Sequence, residues 1–92
     1  MKLAIGCDDA AWELKGIIKE YLIKTRDIEF VDVGINSLDE KEIYPNIAKK
    51  VANLIQDKDN GIEYGILICG TGIGMALAAN KFKGVRAAVC HD

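Results

Sequence analysis

Tyr64-Gly-Ile-Leu-Ile-Cys-Gly-Thr-Gly-Ile-Gly-Met-Ala-Leu-Ala-Ala-Asn-Lys-Phe-Lys83 is the stretch from which the fold is read. Ile66 to Cys69 has the unbroken apolar character of a short buried strand. Gly70 to Gly74 follows, with three glycines in five residues, and then an alanine-rich segment that reads as a helix. A strand feeding a helix through glycines leaves backbone N–H groups at the helix start without intrahelical partners. Such groups attract anions and developing negative charge. Cys69 closes the strand, and a thiol beside an electropositive turn can be drawn toward thiolate. One segment therefore supplies both an anion cradle and a candidate base or nucleophile.

Working outward, the same strand-then-helix grammar recurs. Lys2 to Cys7 reads as a strand ending in Gly6-Cys7-Asp8-Asp9. From Ala11, the spacing of Leu14, Ile17, Ile18, Tyr21 and Leu22 predicts a helix with one buried face, capped by Asp8 or Asp9. Ile28 to Val33 reads as a second strand closed by Gly34. Pro45 suits the first turn of a second helix, with Ile47, Ala48, Val51, Leu54 and Ile55 on one side. Asp57 to Gly61 is a turn cluster, Gly84 ends the third helix, and Val85 to Cys90 reads as a fourth strand. The alternation predicts an α/β fold, a parallel sheet with helices on both faces. In such sheets ligands bind beyond the carboxyl ends of the strands, where strand order reverses. Cys7-Asp8-Asp9, Gly34, Cys69-Gly70-Thr71 and Cys90-His91 all fall at those ends.

Composition narrows the possibilities. Ninety-two residues, half of them apolar, read as one small domain. A net charge of −2 without a basic stripe argues against nucleic acid as a partner. No apolar run reaches the roughly 20 residues of a membrane helix, and no signal-peptide pattern opens the chain. Three cysteines without paired spacing suit a reducing cytoplasm better than a disulfide framework.

Several chemistries can be weighed on the residues. Gly70-Thr71-Gly72-Ile73-Gly74 is neither a G-x-G-x-x-G fingerprint nor a P-loop, so a dinucleotide or nucleoside triphosphate site is not expected. A bare strand-to-helix turn is the plainer alternative. Cys7 and Cys90 read as packing, and Cys69 as functional because of the turn beside it. A zinc site from the cysteines and His91 lacks any C-x-x-C pair, so no metal is expected. Asp8 and Asp9 are either helix caps or acceptors for substrate hydroxyls. Tyr44, before Pro45, is either a cover over the site or loop packing.

Ile5-Gly6-Cys7-Asp8, Glu13-Leu14-Lys15, Tyr44-Pro45, Ile66 to Met75, Ala78-Ala79-Asn80-Lys81 and Gly84 to Ala88 together resemble the ribose-5-phosphate isomerase B family, which includes galactose-6-phosphate isomerase. The resemblance runs the length of the chain. It implies a Rossmann-like three-layer sandwich with a parallel sheet, four strands of it present here and the family's C-terminal strand and helices absent. It implies aldose–ketose isomerisation of a sugar phosphate without metal or organic cofactor, in a homodimer or higher homo-oligomer. Carried over by position, Cys69 moves the proton between C1 and C2. Thr71 and the amides of Gly70, Gly72, Ile73 and Gly74 stabilise the enediolate, while Asp8 and Tyr44 contact the sugar.

Two departures bear on that expectation. The family usually has histidine, a phosphate contact, where this chain has Asp9. A carboxylate facing a phosphate costs about 4 kcal/mol per unit-charge pair at about 4 Å and an effective dielectric of about 20. An acidic residue at this position resembles a subgroup of the family associated with other sugar phosphates, tetrose phosphates among them, which weakens ribose 5-phosphate as the default and leaves a related tetrose or hexose phosphate open. The family also continues beyond the point where this chain stops, so the expectation is an N-terminal portion with little activity by itself. Rival readings are a non-catalytic anion-binding or assembly module, and a thiol redox protein.

Overall fold

In the computed structural model, residues 1–37, 42–70 and 73–90 are described. In chain order they form β1 (Lys2–Cys7), α1 (Trp12–Arg26), β2 (Glu29–Asp32), α2 (Tyr44–Gln56), β3 (Ile62–Ile68) and α3 (Ile73–Asn80). The strands make one parallel sheet in the order β2-β1-β3. The chain moves from β1 to β2 on one side and then crosses back over β1 to reach β3. Right-handed crossovers in opposite directions put α1 and α2 on opposite faces, which is the α/β layering expected.

The α2 face is the tighter one. Ile47, Ala48, Val51 and Ala52 of α2 are buried, with Val51, Ala4 and Ile62 forming one apolar cluster and Ile47, Ala48, Cys7, Ile35 and Met75 another. Two glycines on the strands make that approach possible. A Cβ at Gly65 would lie 2.5 Å from Val51 Cγ1, and one at Gly6 would lie 2.7 Å from Ile47 Cγ2. Neither distance is compatible with a side chain at an unchanged helix–sheet separation.

Three sequence expectations need correction. The fourth strand over Val85–Cys90 is not formed, so the described sheet has three strands rather than four. The Asn80 amide nitrogen donates to the Ala87 carbonyl at 3.0 Å, and its Oδ1 accepts the Ala87 N–H at 2.7 Å. A side chain that satisfies both backbone groups of a residue removes them from any ladder. Secondly, the α1 face of Leu14, Ile17 and Tyr21 is not buried; these side chains are 49%, 64% and 61% exposed. Leu14 and Ile18 instead line an open groove of about 640 Å³ along the outer edge of β3, with Ile66, Ile68 and Val85. Thirdly, no side chain caps α1: Ala11 is its N-cap, and Asp8 Oδ1 accepts from the Ala10 N–H at 3.0 Å, closing a turn before the helix.

Candidate active site

Strand order reverses between β1 and β3, so the crevice beyond their carboxyl ends is the expected ligand position in this topology. Cys7-Asp8 leaves β1 on one side of it and Cys69-Gly70 leaves β3 on the other. The two exits are stitched together. The Asp8 N–H donates to the Ile68 carbonyl at 3.0 Å, and the Gly70 N–H donates to Asp8 Oδ2 at 3.2 Å. Asp8 thus places a carboxylate at the start of the glycine turn and satisfies one amide there.

At the far end of the same turn lies Tyr44. Its ring lies against Gly74, where an added Cβ would come within 2.8 Å of Cε1 and 3.1 Å of the phenol oxygen. Tyr44 opens α2 with Pro45 directly behind it, a residue whose fixed φ suits the first helical turn. The 70–74 turn is therefore bracketed, Asp8 at Gly70 and Tyr44 at Gly74. Cys69 sits one residue beyond the end of β3 and not within it. It is partly buried, packs on the Cys7–Ile47–Met75 cluster and also lines the groove. Asp9 is exposed, and Ile73 begins α3. Thr71, Gly72 and His91 lie outside the described residues.

Behind the crevice is a polar network that the sequence reading missed. Lys15 is 1% exposed, and its ammonium donates to Asp32 Oδ1 at 2.6 Å and to Asn36 Oδ1. Lys19 donates to the other Asp32 oxygen at 2.8 Å, and the Gly34 N–H donates to Oδ1 at 2.8 Å. Burial by itself pushes the Asp32 carboxyl up. The hydrogen bonds from Lys15, Lys19 and Gly34 outweigh it and hold the group below its ordinary range. The network fixes the loop after β2, and that loop supports the end of β1. Cys7 N–H donates to the Gly34 carbonyl at 2.8 Å, and Cys7 Sγ donates to the Ile35 carbonyl at 3.2 Å. Burial pushes the Cys7 thiol up, in keeping with a packing role. Cys90, by contrast, is exposed and does not pack as expected. The available signal for Lys15 and Asp32 was an acidic residue at the carboxyl end of an apolar strand, which requires a partner if half-buried.

The sequence profile of a family described as Ribose/Galactose Isomerase matches residues 3–92. Among curated proteins, the chain is 53% identical over 92 residues to "Ribose-5-P isomerase B" of Listeria innocua serovar 6a, covering 100% of this chain and 60% of that protein. It is 45% identical to "D-erythrulose-4-phosphate isomerase" of Pectobacterium atrosepticum, covering 100% of this chain and 59% of that one. Among solved structures, a ribose 5-phosphate isomerase from Thermotoga maritima superimposes with a TM-score of 0.87 at 48% identity, covering 98% of this chain and 59% of that chain. The chain thus spans about three-fifths of the length of these relatives.

Proposed function

Because the chain belongs to the ribose/galactose isomerase family, we propose that it interconverts the aldose and ketose forms of a sugar phosphate through an enediolate. Cys69, as thiolate, takes the C2 proton of the open-chain aldose. The C–H electron pair becomes the C1–C2 double bond, and the carbonyl pair moves onto O1. The thiol then returns the proton to C1 while C2–O becomes the carbonyl, and the O2 proton ends on O1. The sugar as a whole is neither oxidised nor reduced, so the proposal calls on no cofactor.

The observation that carries this reading is the bracketed turn. Asp8 takes the Gly70 amide at one end and the Tyr44 ring lies on Gly74 at the other; donors fixed before reaction stabilise developing oxyanion charge more than they stabilise substrate, and that is the role proposed for the amides between them. In this reading Thr71 and the amides of Gly72, Ile73 and Gly74 face the enediolate, the Gly70 amide holds the Asp8 carboxylate in place, and Asp8, Asp9 and Tyr44 face the sugar. The substrate is a tetrose, pentose or hexose phosphate. Relatives named for ribose 5-phosphate and for erythrulose 4-phosphate are both similar to this chain, and the carboxylate of Asp9 disfavours a phosphate placed beside it.

We also propose a homodimer or higher homo-oligomer in the cytoplasm. The uncovered apolar side of α1 and the open β3 edge support association. Cysteines outside any disulfide suit a reducing compartment. Among the described residues no helix is long and apolar enough to cross a membrane. Sedimentation velocity should show a species of at least twice the chain mass; a monomer at micromolar concentration would remove the oligomer. The activity is tested with a panel of four-, five- and six-carbon sugar phosphates. Slow turnover of at least one is expected, in keeping with a chain that spans about three-fifths of its relatives. Binding without turnover of any would instead identify a non-catalytic anion-binding module.

A further inference from the structure

Gly74 is not a glycine for the usual conformational reason. The described glycines with positive φ are Gly34, Gly61 and Gly84, and Gly74 is not among them. It lies in the first turn of α3, where alanine is the better helix former. A Cβ at Gly70, at the other end of the turn, would meet no atom of the described residues within 4 Å. At Gly74 it would meet three atoms of one ring, Cε1, Cζ and Oη of Tyr44, at 2.8, 2.9 and 3.1 Å. Space for Tyr44 is therefore what a side chain at position 74 would remove. Tyr44 is itself 45% exposed, so the residue is seated on α3 without being enclosed.

We infer that Gly74 is a positioning residue for Tyr44: the pair acts as one unit that fixes the phenol ring over the first turn of α3 and forms one wall of the sugar-phosphate site. The second half rests on the isomerase reading above; the first half does not. Any side chain at position 74 displaces the ring, and loss of the ring removes the need for glycine.

A double-mutant cycle tests both halves, using Gly74→Ala, Tyr44→Ala and the combined variant in the protein. In thermal melts, Gly74→Ala should lower the midpoint with Tyr44 present, and should leave it unchanged or raise it in the Tyr44→Ala background. Equal lowering in both backgrounds would mean that glycine is needed by the helix itself, and the inference fails. The second readout is affinity for the tightest-binding of the four-, five- and six-carbon aldonate phosphates, whose carboxylate carries charge where an enediolate would. Each single variant should weaken binding about tenfold and the double variant also about tenfold, because contacting residues are not additive. About a hundredfold loss in the double variant would overturn the shared wall. If the unsubstituted protein binds none of the aldonate phosphates, the shared wall falls together with the isomerase reading, and the melts alone decide the seat. Tyr44→Phe should keep the melting behaviour of the unsubstituted protein, since the ring remains.

Discussion

Lys15 is an ammonium with 1% exposure, and Asp32 and Asn36 accept its hydrogen bonds. Removing one partner of a buried ion pair strands the other, which costs about 3–5 kcal/mol. Asp32→Ala strands Lys15 and is expected in that range by urea denaturation. Lys15→Met should cost less, because Asp32 keeps Lys19 at 2.8 Å and the Gly34 N–H. The reverse order would show that Lys15 is held by packing and not by charge. The same residues set a pH window. The Asp32 carboxyl is depressed in the folded protein. Its contribution is therefore complete above the unfolded carboxyl value of about 3.9 and is lost as pH falls through the folded value. The Cys7 thiol is raised by burial, so its contribution is complete below about 8.5 and is lost as pH climbs toward the folded value. These two groups by themselves leave the melting midpoint flat between those limits and lower it outside them, and the depressed carboxyls of Glu20 and Glu42 add to the acid-side fall. In Asp32→Ala the acid-side fall should shrink; an unchanged acid limb would place the responsible carboxyl elsewhere.

At the scale of elements, β3 and α2 depend on glycine at Gly65. A methyl there would press on Val51 Cγ1 at 2.5 Å and contact Ile55 Cδ1 at 3.8 Å. Overpacking of this kind costs about 1–3 kcal/mol. Gly65→Ala is expected to destabilise by that amount, and pairing it with Val51→Ala should recover part of the loss; a neutral Gly65→Ala would mean that α2 stands off the sheet. The order of strands and helices was legible because hydrophobic period and turn residues are local signals. Pro45 marked the start of α2 for that reason. What was not legible depends on residues distant in sequence. The start of β3 at Ile62 was hidden by Glu63, Tyr64 and Gly65: the first two are exposed, and the third is small because Val51 packs on it. Val85–Cys90 has the composition of a strand, yet Asn80 takes the hydrogen-bonding groups of Ala87. The same holds in the candidate site. Glycine spacing exposed the 70–74 turn, but no local pattern shows that Gly74 seats Tyr44, thirty positions away.

For the whole molecule, the topology explains why the candidate residues gather at one crevice. With strand order β2-β1-β3, the reversal falls between the two strands whose ends carry Cys7-Asp8 and Cys69-Gly70. Lys15 and Asp32 brace the loop behind β1, Asp8 joins β1 to β3, and Tyr44 brings α2 onto α3. Isomerisation by this route requires the sulfur of Cys69 to work in that crevice. The most direct test follows exchange of the C2 proton of a sugar phosphate that the protein turns over, in deuterated water by NMR. The unsubstituted protein should exchange it, and Cys69→Ala should slow exchange by at least about a hundredfold, the lower end of what one acid–base group contributes, with its melting midpoint little changed. Exchange at an undiminished rate in Cys69→Ala would contradict the account and move the proton transfer to another group.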